Sequence, residues 1–252
     1  SYDAGSKKLV TLSHPFSVDV DSAKMEFYEP EKETEDVVLF SKFGMIGEFF
    51  LGRMVGGVFE GSRSPGFEHP DTLFRIKDMP LRLCTAVRVD STKTYRYVRY
   101  FGPRGGFGNV SEVGFYSSWA DTEPLKGDIL GPQEGAHGSH SYFNVFDGHT
   151  DTSYDHPFDY GGWAGLDLGE KKAIGKIVYT PRNRDNFVRK DDLYELLVCH
   201  GGEWKSAGTQ VAQSDSLLFR NIPKHALLLL RDLSRGEAER LFEYKDGVQK
   251  YW

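Results

Sequence analysis

Apolar residues in this chain come in short bursts separated by turn-forming residues, and no long stretch repeats them at the spacing of an amphipathic helix. In the first half the bursts are Leu9–Leu12, Val37–Phe40, Glu48–Leu51 and Tyr95–Tyr100. In the second half they are Ile174–Tyr179, Tyr194–Cys199, Ser216–Phe219, Ala226–Leu230 and Arg240–Tyr244. Their β-branched and aromatic content reads as strand, as does the alternation of Tyr95, Tyr97 and Arg99 with Arg96, Val98 and Tyr100. Many short strands without helices between them point to antiparallel sandwiches or jelly rolls, because a parallel sheet needs a crossover helix between strands. An all-β fold of two tandem sandwiches follows as the expectation, spanning residues 1–118 and 125–252. The polar run Ser117–Pro124 is the expected boundary. A short echo supports two related units: Ser111-Glu112 leads into an apolar strand near the end of the first half, and Ala238-Glu239 does so in the second.

Composition narrows the function classes. At 252 residues and 39% hydrophobic content the chain can bury a core without metal or disulfide staples. The longest apolar run, Ala226–Leu230, is far short of the roughly 18 residues of a membrane-spanning helix, so no membrane span is expected. A formal net charge of −6 argues against nucleic acid as a partner, because phosphate backbones are held by clustered Lys and Arg. Cys84 and Cys199 are the only cysteines, with no metal-like spacing around them. The acidic run Glu29–Asp36 reads as a solvated edge.

The densest chemical signal is Asn144–Tyr154, where Asp147, Asp151 and Thr152 recur within six residues after an Asp-Gly turn. A curled loop of this kind can aim several oxygens at one point, as a hard cation requires. The alternative is an Asp-rich turn whose side chains bond their own backbone. The EF-hand pattern is absent, as are the nucleophile elbow, the zinc-helix motif and the phosphate-cradling glycine loops, so a catalytic role is not expected. The run Gly102–Gly108 reads as a hairpin loop, and His137, His140, His149 and His156 read as surface histidines.

Taken in order, several segments resemble the discoidin domain, the coagulation-factor type C fold with a galactose-binding-like jelly roll. They are Asp147-Gly148-His149-Thr150-Asp151-Thr152, Gly162–Gly169, Ile174–Arg182, Tyr194-Glu195-Leu196 and Gly202-Glu203-Trp204. That resemblance covers residues 125–252. Residues 1–118 resemble only its later strands, through Phe59–Ser62, Thr72–Ile76, Tyr95–Tyr100 and Asn109–Val113, and lack the DGxxDT turn. The whole pattern, with Pro181–Asn186 and the terminal Tyr251-Trp252, also resembles tandem C-terminal domains of gut-bacterial surface lipoproteins, some with a transglutaminase-like domain upstream.

The resemblance implies a carbohydrate-binding accessory module, exported to a bacterial cell surface or periplasm, with a glycan as partner and an upstream catalytic domain as a further one. It implies a structural calcium on Asp147, Asp151 and Thr152, completed by Ala238 and Glu239. It also implies sugar recognition by Arg182 and Asn186, for which the chemistry is sound: a guanidinium donates paired hydrogen bonds and an amide both donates and accepts. Tyr160, Phe187 and His149 are the candidates for the apolar face of the sugar. On the residues alone, Arg182 and Asn186 fit equally a turn held by Asn side chains with the arginine ion-paired. Trp163 and Trp204 are expected to pack. The alternative function is a structural or protein-interaction module that positions an enzyme.

Overall fold

The computed structural model describes residues 2–3, 8–9, 16–19, 24–44, 49–135, 137–236 and 239–252. In chain order the strands are β1 (Tyr2–Asp3), β2 (Lys8–Leu9), β3 (Phe16–Asp19), β4 (Lys24–Phe27), β5 (Thr34–Leu39), β6 (Val58–Ser62), β7 (Asp71–Arg75), β8 (Thr85–Arg88), β9 (Thr94–Phe101) and β10 (Glu112–Tyr116). They continue as β11 (Asp128–Leu130), β12 (Trp163–Ala173), β13 (Lys176–Thr180), β14 (Leu193–His200), β15 (Glu203–Val211), β16 (Leu217–Pro223), β17 (Leu228–Asp232), β18 (Leu241–Lys245) and β19 (Val248–Tyr251). The protein is all-β. The expected strand at Glu48–Leu51 is instead a single helical turn, α1 (Phe49–Gly52), with only Leu51 buried.

The chain divides into two compact units, but not at the polar run. One unit is residues 45–185; the other joins residues 1–44 to 186–252. The expected division into 1–118 and 125–252 is therefore corrected. Strands on either side of it pair in the same sheets: β9 with β12, and β10 with β13. The polar run is an internal turn, in which Asp121 accepts from the Ser118 amide at 2.9 Å and from its hydroxyl at 2.7 Å. Turn chemistry marks where a chain reverses, and that is equally true between two strands of one core.

In the 45–185 unit, a five-stranded sheet in the order β11-β12-β9-β6-β7 and a three-stranded sheet in the order β10-β13-β8 contribute to one core. Phe59, Tyr100, Val113, Phe115, Leu166 and Ile177 fill it. Alternation places these side chains inward, and burying each large apolar one contributes about 1.5–3 kcal/mol of stability. The glycine-rich run is not a hairpin loop, because β9 and β10 lie in different sheets. It is a crossover held at close quarters: a Cβ on Gly102 would stand 2.7 Å from Gly108 Cα, and one on Gly162 would stand 2.8 Å from the same atom. Gly108 itself has φ +63, where side chains are disfavoured.

In the other unit, a sheet in the order β15-β14-β17-β18-β19 packs with the β5-β16 pair around Leu39, Tyr194, Leu196, Phe219, Leu230 and Phe242. Its two chain segments are laced together. Lys42 N donates to Asn186 O at 2.8 Å, Phe43 N to Asn186 Oδ1 at 2.9 Å, and Phe40 N to Gln249 Oε1 at 2.9 Å. Tyr251 docks here, its hydroxyl 2.7 Å from Ser41 Oγ, while Trp252 stays half exposed in an edge-type contact with the Tyr28 ring. Trp204, expected to pack, is also exposed, because it sits on the outermost strand β15. Cys84 and Cys199 form no disulfide.

Candidate binding end of the 45–185 unit

Strand register gathers the loops. The first residue of β6 and the first of β12 both pair with Phe101, the last of β9, while the first residue of β10 pairs with Thr180, the last of β13. The segments before β6, between β9 and β10, before β12 and after β13 therefore emerge together. Tyr154 bridges to Val110, which seals the long loop before β12 onto the start of β10.

At this end two arginines converge on one carboxylate. Arg182 Nη1 donates to Asp155 Oδ2 at 2.6 Å, and Arg53 Nη1 lies 3.7 Å from Asp155 Oδ1. Buried Asn109 fixes the group: its Nδ2 donates to Asp155 Oδ1 at 2.7 Å, and its Oδ1 accepts from Arg53 Nη1 at 2.8 Å. Aromatic rings cover the guanidiniums. Arg53 stands 4.1 Å over Phe49 and 4.6 Å over Phe107, and both Arg182 and Arg184 stand 4.5 Å over Phe50. Burial pushes the Arg53 pKa down, Asp155 pulls it back, and the neighbouring Arg182 pushes it down again. The loop carrying Arg182 is built by Asn183, whose amide donates to Thr150 O at 2.9 Å and whose Oδ1 accepts from Asp185 N at 2.8 Å. That brace holds Arg184 and Asp185 at positive φ, 49° and 60°.

Adjoining this cluster is an exposed aromatic ledge. Tyr160 is 53% and Phe158 60% exposed. Arg104 lies 4.6 Å over the Tyr160 ring, and Gly105 N donates to Asp159 O at 2.7 Å. Phe107 links the two groups, because its carbonyl accepts from His156 N at 2.7 Å while its ring faces Arg53.

The expected sugar residues separate. Arg182 and Tyr160 stand at this end. Asn186 does not: it is 2% exposed, belongs to the other unit, and uses its side chain to bind the Phe43 amide. Phe187 is likewise buried in that unit, in a bridge with Ser41, so neither it nor Asn186 can meet a ligand. His149 is exposed in the Asp147 turn, with its backbone N bound to Asp147 Oδ1 at 2.8 Å. Arg53, Asn109 and Asp155 were not foreseen, since nothing in the sequence ties residues so widely spaced to one loop end. Trp163, expected in the core, is only partly buried and packs beside Phe67.

The expected calcium set is also redistributed. Thr152 Oγ1 donates to Asp147 Oδ2 at 2.9 Å, and Asp151 is exposed. Ala238 lies outside the described residues, and Glu239 belongs to the other unit, where it lies 3.5 Å from Arg231. The glutamate that meets the turn is Glu112, which accepts from Gly148 N at 2.7 Å. In the sequence, Ser111-Glu112 is the counterpart of Ala238-Glu239 in the short echo between the two halves. Burial, with Asp147 close by, pushes the Glu112 pKa up to about 8 against the opposing pull of the Gly148 amide. Thr152 Oγ1 donates to Asp147 and to the His149 carbonyl, so the turn bonds its own oxygens, and Glu112 joins it through the Gly148 amide; oxygen is the donor type that calcium takes. Among the described residues no group of three or more His, Cys, Asp or Glu side chains is placed to hold a metal ion. Beside Glu112 a cleft of about 540 Å³ follows β10, lined by Gly114, Tyr116, Leu125, Ile129 and Thr180 among others.

No family model matches the chain, and neither a curated protein nor a solved structure matches it.

Proposed function

We propose that this chain is a non-catalytic glycan-binding module whose contact surface is the loop end of the 45–185 unit. The observation that carries the reading is the ledge of Tyr160 and Phe158, exposed beside Arg104 and continuous through Phe107 with the Arg53–Asp155–Arg182 group. A pyranose presents an apolar C–H face and a rim of hydroxyls. An exposed ring supplies the first contact, and guanidinium and carboxylate groups held by buried partners supply the second. Single-sugar contacts of this kind are weak, so avidity within a larger protein would set the working affinity. The resemblance to exported bacterial accessory modules supports a place at the cell surface or in the periplasm, next to an enzyme domain. It also supports a structural calcium on the Asp147 turn, for which Glu112 replaces Glu239 as the completing carboxylate. Calcium there would tie the long loop to β10.

The test is calorimetric titration against a glycan panel. Tyr160→Ala should weaken binding at least tenfold while the circular dichroism spectrum is kept; a folded protein indifferent to every sugar in the panel would overturn the reading. A second reading, a protein-interaction module, is favoured by β15, an outermost strand of nine residues exposed along almost its whole length, including Trp204 and Val211. Capture of one protein partner, lost on Lys205→Pro and accompanied by no sugar response, would establish it instead.

A further inference from the structure

We infer that the glycan taken by this loop end carries a carboxylate, so that the ligand class is an acidic sugar such as a uronic acid and not a neutral one. The inference rests on the glycan-binding reading and adds the charge of the ligand to it. Three guanidiniums, of Arg53, Arg182 and Arg184, gather on Phe50, two of them at 4.5 Å and Arg53 at 5.7 Å. The carboxylate seated among them is Asp155. Among the described residues of this cluster, even with Asp185 counted, which adjoins Arg184 in the chain, the guanidiniums outnumber the carboxylates by one.

That surplus lies in partly desolvated surroundings. The Arg53 and Arg182 side chains are only 16% and 11% exposed, so water screens them poorly and an uncompensated charge there favours an incoming anion. The downward push on Arg53 from burial and from Arg182 has the same origin. Donors remain for the task. A guanidinium has five N–H groups, and the described side-chain hydrogen bonds of Arg53 and Arg182 use only Nη1 of each. A planar carboxylate accepts such donors in pairs, whereas a hydroxyl accepts them singly. Arg184 is the exposed member and the one a ligand meets first. General attraction cannot produce the preference, because the chain carries a formal net charge of −6 and repels anions at long range.

The experiment titrates the intact chain with three probes of matched shape: trigalacturonate, its methyl ester, and galactotriose. Trigalacturonate should bind at least tenfold more tightly than the other two, and raised salt should narrow the difference. Arg184→Gln, a change on an exposed side chain, should bring trigalacturonate down toward the level of the ester, lowering the affinity for trigalacturonate by a larger factor than that for the ester. Equal binding of all three probes, or a preference untouched by both Arg184→Gln and Arg53→Gln, would overturn the acidic-ligand inference while leaving glycan binding standing. Binding of none of them, nor of any sugar in the wider panel, would remove the glycan-binding reading and this inference with it.

Discussion

Lys42 and Asp232 form an ion pair that has almost no contact with water, at 1% and 0% side-chain exposure and 3.4 Å apart. Asp232 Oδ1 also accepts from the Ser234 and Arg235 amides, each at 3.0 Å. Lys42→Met keeps the apolar stem and most of the volume, so little cavity cost arises, but it removes the cation from a carboxylate that stays buried. Breaking one side of a buried pair typically costs 3–5 kcal/mol. Two backbone donors remain on Asp232, which places the expectation near the lower end, about 3 kcal/mol, or roughly a hundredfold in the unfolding equilibrium. Native-state hydrogen exchange of the β14 amides, Leu196 and Leu197 in particular, reads this unit without interference from the tryptophans of the other one. The double variant Lys42→Met with Asp232→Asn should recover at least half of the loss, because a neutral amide oxygen still accepts from both backbone N–H groups without a charge to solvate. A single-variant cost under about 1 kcal/mol, or a double variant no more stable than the single, would refute the reasoning that an uncompensated charge is the source of the loss.

Three further outcomes are expected. Glu112 has its pKa raised to about 8 from 4.5, so its contribution to stability is intact below about 4.5 and is lost as pH rises through about 8. Thermal unfolding of the metal-free protein should therefore show a midpoint falling over that window, and Glu112→Gln should flatten the profile; a variant that melts lower at pH 8 would contradict this. Calcium should raise the midpoint of the natural sequence at pH 8 and have little effect on Glu112→Gln, as a melt with and without a chelator will show. Gly108→Ala places a Cβ 2.7 Å from the Tyr154 ring at a φ of +63, and should cost at least about 2 kcal/mol in urea unfolding.

The sequence determined what depends on neighbours along the chain. Alternation in Tyr95–Tyr100 gives β9, and the apolar run Tyr194–Cys199 gives β14. The Asp147 turn closes on itself through bonds that span two to five residues, so its geometry needs little beyond its own sequence. Pairing was another matter. A strand's alternation states which face is buried and says nothing about its partner, so Ser117–Pro124 looked like a linker although β9 and β10 pair across it with β12 and β13. Arg182 and Asn186, four residues apart, fall in different units, and Glu112 reaches Gly148 across 36 residues of sequence. Local hydrogen bonding and side-chain period are encoded residue by residue. Which distant surfaces cover one another is settled only when the whole chain finds the arrangement that buries its apolar faces together, and the binding end is a product of that second decision.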